Sequence, residues 1–209
     1  MSGLFLYLTM SKRRKKKSTR RITSFLLVLF IGVSAYFVYL HFFIKKIEPI
    51  EFSELPQLPE GFVSYGIDIS HHQSEIDWDV FFEQNDSTIQ FIYCKVTEGE
   101  MLADREWERN HARLFKEKMP HGGYHFFRPS VDPTLQANHF LRHYNHRETI
   151  LPPALDVEVE GESDITLIES MKIWLNIVEN ATGKRPIIYT SYNFYSEKFR
   201  EHFVNYKFW

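Results

Sequence analysis

Beyond residue 62 the chain alternates short apolar runs, rich in β-branched and aromatic residues, with stretches whose apolar positions recur every three or four residues. The runs FVSYGIDIS (62–70), IQFIYCKVTEG (89–99), GGYHFFRP (122–129), PPALDVE (152–158) and PIIYTS (186–191) read as strands. Helical patterns lie near 78–85, 104–118, 133–144, 164–181 and 193–202. The fourth is the clearest, since Leu167, Ile168, Met171, Trp174, Leu175 and Val178 form one stripe that Asp164 can cap at its start and Gly183 at its end. Asp132 followed by Pro133 marks another helix start. Five strand–helix units in a row predict a parallel sheet, because parallel strands are joined by crossover helices.

The N-terminal quarter follows another pattern. Residues 22–44 contain no Asp, Glu, Lys or Arg over 23 positions, and as a helix they would span roughly 34 Å at ~1.5 Å per residue, enough to cross a bilayer core. The basic run KRRKKKSTRR (12–21) precedes them, and Lys45 and Lys46 follow. The heavier positive block predicts a cytoplasmic N-terminus (1–21), a single transmembrane helix (22–44) and a body on the far side of the inner membrane. The length of the apolar run favours a retained anchor over a cleaved signal peptide. Residues 45–61 carry Pro49, Pro56 and Pro59 among acids and read as a semi-rigid linker. MSKRRKKK from Met10 reads as an alternative start.

One apolar run departs from the expected pattern. In LPPALDVEVEGE (151–162), Asp156, Glu158 and Glu160 occupy every second position and would share one face of a strand. Two readings are open at this point, a half-solvated antiparallel strand or a catalytic carboxylate pair. Polar chemistry recurs at the other strand ends: Asp68 with Ser70 and His71, Lys95 with Glu98, Tyr124 with His125 and Arg128, Tyr189 with Ser191. No glycine-rich phosphate loop follows any strand, which disfavours an open nucleotide-binding sheet, whereas polar strand ends fit the mouth of a barrel.

Charge sharpens this picture. The net charge of −2 hides an asymmetry, since residues 1–46 hold ten Lys or Arg and no acid, leaving 15 basic residues against 27 acidic ones in the remainder. An acidic body argues against nucleic acid as partner. The single cysteine, Cys94, excludes an internal disulfide and a thiolate metal cluster.

The motifs YGIDISHHQSEIDW, FIYCKVTEGE, HGGYHFFRP with DPTLQANHF, LPPALDVE and TGKRPIIYTS stand in the order and approximate spacing of the glycoside hydrolase family 25 lysozymes, which the chain resembles from about residue 62 to its end. The resemblance implies an α/β fold, an irregular TIM-like (β/α) barrel with about five βα units present in 62–209. It implies a muramidase that cuts the β-1,4 bond between N-acetylmuramic acid and N-acetylglucosamine, without a cofactor. By the same resemblance Glu158 would be the general acid, Asp156 would orient and stabilise the substrate's 2-acetamido group, and Asp68 would tune the pair. Tyr124 and Tyr189 would line the sugar site. Lys95 and Glu98 stand between an internal salt bridge and direct substrate contact.

Adjacent His71 and His72 point apart on a strand and lack companion ligands, so they are expected to line the cleft mouth and hold no metal. Ser70, His125 and Asp156 lack the Gly-x-Ser-x-Gly elbow of a hydrolase triad. Phe127, Trp107 and Trp174 are expected to be packing residues, and Glu160 a solvated loop carboxylate. Functional alternatives are a non-catalytic peptidoglycan-binding module and a hydrolase of chitin-like glycans. The chain is expected to be monomeric. NYKFW (205–209) reads as the opening of a sixth strand, and the 148 residues from 62 onward fall short of the ~250 usual for a full barrel, so a C-terminally truncated domain that folds poorly alone is the expectation.

Overall fold

The computed structural model describes residues 26, 29, 30, 32–34, 36, 58, 60, 61, 63–85 and 87–209. The chain divides into two compact units, Met1–Glu51 and Phe52–Trp209. In the first, the described positions between 26 and 36 are helical. The basic tail 1–21 and most of the expected membrane span 22–44 and linker 45–61 lie outside the described residues. Among the described residues no helix is long and apolar enough to cross a membrane.

The second unit contains β1 (Tyr65–Ile69), α1 (Trp78–Gln84), β2 (Ile89–Glu98), β3 (Leu102–Ala103), α2 (Trp107–Lys116), β4 (His121–Phe126), α3 (Pro133–His143), β5 (Ala154–Val157), α4 (Asp164–Thr182), β6 (Ile187–Thr190) and α5 (Tyr192–Phe194). The strand order is β1-β2-β4-β5-β6, every neighbouring pair parallel, as the strand–helix alternation predicted. Two elements differ from expectation. A hairpin turning at Gly99 (φ 55°) sends β3 back antiparallel on β2. The fifth helical stretch is not one helix, for α5 passes directly into a π-helical turn, Tyr195–Phe199.

Local hydrogen bonds decide where the strands stop. The β1 ladder ends because Ser70 turns into a 3-10 turn, His71–Gln73, closed by a reciprocal capping box in which Gln73 Oε1 accepts from Ser70 N at 2.7 Å. The expected run 122–129 ends at Phe126, since the backbone of Arg128 is taken by the Gln136 side chain. β5 ends at Val157, whose carbonyl accepts from Thr190 Oγ1 at 2.7 Å. The strand is therefore too short for three acids to share a face, and only Asp156 lies on it. The cap of α4 lies one residue earlier than expected, because extended Ser163 (φ −152°) accepts from Thr166 N and leaves Asp164 as the first helical residue. Gly183 ends it in the left-handed region (φ 68°), as expected.

The outer face of the sheet and the helices build the core. Ile92, Cys94, Val96, Phe127, Leu155, Val157 and Ile188 interlock with Trp107, Leu114, Phe140 and the α4 stripe Leu167, Met171, Trp174, Leu175 and Val178, all buried. The expected packing roles of Phe127, Trp107 and Trp174 hold.

The other face is concave. Residues 207–209 run parallel beside β6, with Ile188 N donating to Lys207 O and Trp209 N to Ile188 O, both at 3.0 Å. In a flat sheet this segment would stand roughly 19 Å from β2, four spacings of ~4.8 Å away. The Trp209 ring instead lies 5.2 Å from that of Tyr93 on β2, so the sheet curls into a parallel half-barrel. Phe91, Tyr93, Tyr189 and Trp209 meet inside it at 5.2–6.4 Å and form an aromatic floor. The Phe91 ring occupies the space that a Cβ on Gly66 would need, 2.0 Å away.

Candidate active site

Register places the polar residues above that floor. Asp68 on β1 pairs with Tyr93, Lys95 on β2 with Tyr124 on β4, and Phe126 on β4 with Asp156 on β5, which in turn pairs with Tyr189 on β6. Side chains in one register row of a parallel sheet share a face. The concave face thus gathers Asp68, Lys95, Tyr124, Asp156 and Tyr189, with Glu158 just past the end of β5.

Asp156 is the buried acid of this group, 7% exposed, and its Oδ1 has no hydrogen-bond partner among the described residues. Burial above all, then the charge of Glu158, pushes its carboxyl from 3.8 up to about 8; Asp68 and Glu98 add to the rise and Lys95 opposes it. Glu158 and Asp68 are both exposed. Tyr124 is half-buried, its side chain hydrogen-bonded to Ser70, and burial followed by the charges of Asp68 and Asp156 pushes its hydroxyl up. Burial and then Glu158, Asp156 and Asp68 raise the Tyr189 hydroxyl in the same direction. A proton on Asp156 relieves both the desolvation and the repulsion.

Lys95 and Glu98 form the ion pair that the sequence left undecided. Lys95 Nζ donates to Glu98 Oε2 at 2.5 Å, and Glu98 Oε1 accepts from Arg128 Nε at 2.9 Å and from Arg128 Nη2. Burial raises Glu98, but the hydrogen bonds from Lys95 and Arg128 outweigh it and hold the carboxyl below its ordinary range.

The histidines are occupied elsewhere. His71 and His72 sit on the 3-10 turn and not on a strand, with their rings 4.1 Å apart, which corrects the expectation that they point apart. His71 Nδ1 meets Asp104 Oδ2 at 2.6 Å, and the same oxygen accepts from His71 N at 3.0 Å. His125 lies on the helix side of the sheet, stacked on Trp174 at 5.5 Å, between Thr97 Oγ1 (2.8 Å) and Gln136 Oε1 (3.1 Å). Burial drives its ring down to about 3, so it stays neutral and serves no triad with Ser70 and Asp156. Among the described residues no group of three His, Cys, Asp or Glu is arranged to hold a metal ion. Glu160 is exposed as expected, yet it is paired: Lys198 Nζ reaches Glu160 at 3.2 Å and Asp164 at 2.8 Å, tying the β5–α4 loop to the turn after β6.

The structure therefore brings all seven candidate residues, Asp68, Lys95, Glu98, Tyr124, Asp156, Glu158 and Tyr189, to one concave face. Sequence reading missed Asp104, Gln136 and Lys198, whose partners His71, Arg128 and Glu160 lie 33, 8 and 38 positions away and leave no local signature. Chemically, a protonatable buried carboxyl beside an exposed one, over aromatic rings, suits acid-assisted cleavage of a glycosidic bond.

Known proteins place the chain in context. The uncharacterized protein YegX of Escherichia coli K12 is 36% identical over 174 residues, covering 82% of this chain and 63% of that protein. The chain thus spans somewhat less than two thirds of that relative's length. Lysozyme M1 of Streptomyces globisporus is 28% identical over 137 residues, covering 60% of this chain and 46% of its own. The crystal structure of a bacterial lysozyme from Streptomyces coelicolor superposes with a TM-score of 0.60 at 26% identity, over 69% of this chain and 71% of that one. The sequence pattern of the glycosyl hydrolases family 25 matches residues 67–209, from β1 to the last residue, so the curled sheet with its acid pair at the end of β5 makes this chain a member of glycosyl hydrolases family 25.

Proposed function

We propose that the protein is a peptidoglycan muramidase that hydrolyses the β-1,4 bond between N-acetylmuramic acid and N-acetylglucosamine. The observation that carries the reading is Asp156, buried at the end of β5 with an orphan carboxyl oxygen and held protonated to about pH 8, two residues from exposed Glu158. Glycoside hydrolysis needs one carboxyl that gives a proton and one that stabilises positive charge at the anomeric carbon. In the complex with a glycan, the proton that Asp156 holds in the free protein would pass to Glu158, which would deliver it as general acid to the glycosidic oxygen and leave Asp156 ionised. Asp156, once ionised, would stabilise the 2-acetamido group as that group assists departure, with Asp68 and Lys95 setting its charge. Tyr124, Tyr189 and the aromatic floor would stack on the sugar ring. Water completes the hydrolysis and no cofactor is needed.

The remaining elements of the proposal concern placement. Residues 22–44 would span the inner membrane once, with the basic tail cytoplasmic and the catalytic unit, monomeric, on the periplasmic side. The apolar run without ionised residues and the ten flanking cations support this. Protease added outside intact spheroplasts should digest the catalytic unit and spare the tail.

The activity is tested by incubating the full chain with purified peptidoglycan and, separately, with chitin oligomers. New reducing ends on N-acetylmuramic acid are expected from the first. Glu158→Gln should abolish them while sedimentation with peptidoglycan persists. Release from chitin alone would replace the muramidase reading with a chitinase, and unchanged binding without any turnover by the unsubstituted chain would leave a binding module.

A further inference from the structure

Two cations lie over the Phe126 ring, Lys95 Nζ at 4.9 Å and Arg128 Cζ at 4.7 Å from its centroid. Both cations share one carboxylate, Glu98, so the cluster holds one positive charge in excess. That surplus is not buried evenly. The Lys95 side chain is 4% exposed and that of Arg128 is 43% exposed, which puts the excess charge at the arginine. Arg128 uses Nε and Nη2 on Glu98, and its Nη1 has no protein partner among the described residues.

An exposed arginine is ordinarily mobile, but this one is mounted. The buried side chain of Gln136 grips its backbone at both ends: Oε1 accepts from Arg128 N and Nε2 donates to Arg128 O, each at 2.9 Å, with a further bond from Nε2 to Val131 O. His125 fixes the same amide from behind at 3.1 Å. Stacking on Phe126 and the paired donation to Glu98 fix the guanidinium itself. Phe126 is the register partner of Asp156, so this cation stands one strand from the acid pair. The exposed groups around the mouth, Asp68 and Glu158, are acids, and a neutral glycan would offer the free face of Arg128 hydroxyl and amide oxygens but no countercharge.

We propose that Arg128 is a specificity-determining residue that pairs through its free face with a carboxylate of the substrate. The inference rests on the muramidase reading above. Peptidoglycan offers that chemistry in two forms, the carboxylates of the peptide stem where one is attached and the lactyl carboxylate of the muramic acid where the stem has been removed, and chitin offers none. Planar guanidinium and carboxylate match geometrically, and the pair offsets the repulsion that exposed Asp68 and Glu158 impose on an anionic substrate.

Three substrates separate the sources: glycan strands with intact stems, strands stripped of stems by an amidase so that lactyl carboxylates are free, and stripped strands whose lactyl carboxylates have been methyl-esterified. The readout is the ratio of kcat/KM between them for the full chain and for Arg128→Gln and Arg128→Lys. A ratio of intact to esterified strands that drops about fivefold in Arg128→Gln, with partial recovery in Arg128→Lys, supports stem recognition. The same drop in the ratio of stripped to esterified strands supports lactyl recognition. In the unsubstituted chain, raising salt should lower the affected ratio, a measurement that stands even where a variant folds poorly. Ratios that ignore both the substitution and the salt overturn the inference, whereas an unsubstituted chain that cuts none of the strands overturns the muramidase reading instead.

Discussion

Lys95 and Glu98 stand three residues apart on β2, yet both point into the half-barrel and meet at 2.5 Å. Alternation along a regular strand would send them to opposite faces. The register against β4 slips between Lys95 and Thr97, so that Lys95 pairs with Tyr124, Thr97 with His125 and Glu98 with Phe126. One extra residue, Val96, resets the alternation and delivers a cation and an anion to the same interior.

Replacing Lys95 with Met should expose what that slip supports. The substitution strands Glu98 with Arg128 alone and removes the one charge that pulls Asp156 down. Chemical denaturation should report a loss of about 3 kcal/mol, the range for breaking a buried pair on one side. The Asp156 titration, followed by carboxyl carbon NMR, should move above about 8; a midpoint that stays or falls would contradict the assigned electrostatics.

Asp156 predicts an inverted pH dependence of stability. The unfolded carboxyl releases its proton near 3.8 and the folded one holds it to about 8. Between those values the native state binds more protons than the unfolded state, so raising pH progressively lowers stability, with no further change above about pH 8. Asp156→Asn, neutral throughout, should match the unsubstituted chain near pH 4 and exceed it by roughly 2–5 kcal/mol at pH 8. Its turnover should be lost at every pH. Melting temperatures across pH 4–9 decide the matter.

Gln136→Leu keeps volume and removes four hydrogen bonds, to Arg128 N, Arg128 O, Val131 O and His125 Nε2. A destabilisation of about 3 kcal/mol is expected, because the stranded groups lie in or beside the core. Amide exchange at Arg128 should accelerate well before that of β4.

The start of α4 offers a clean contrast. Ser163→Ala should cost about 1 kcal/mol through loss of the cap on Thr166 N. Asp164→Ala should cost markedly less, since its partner Lys198 also reaches Glu160 and the aspartate is exposed. Equal losses would restore Asp164 as the functional cap.

Much of this protein could be read from spacing. The alternation of apolar runs with three-to-four-residue stripes located all five βα units, because parallel strands bury both ends of each crossover against the helices. Asp132, Gly183 and the α4 stripe behaved as local rules require. Asp156 and Glu158 stood out because acids do not belong in a covered strand unless a site needs them. The reading erred where a local rule met a competitor from elsewhere in the fold. β5 stops at Val157 under the hydroxyl of Thr190, and the last helical pattern breaks into a π turn at Tyr195.

The sequence by itself determined the order of elements, their parallel pairing, the family and the acid pair, since each rests on periodicity or on residues close in the chain. Only the tertiary structure decided that Asp156 is the buried and protonated member of that pair while Glu158 is exposed, that Val96 turns Lys95 and Glu98 inward together, and that Gln136 presents Arg128 beside the site. Burial, register and long-range hydrogen bonds are properties of how distant segments meet, and no local pattern encodes where a strand will slip or which carboxyl will lose its water.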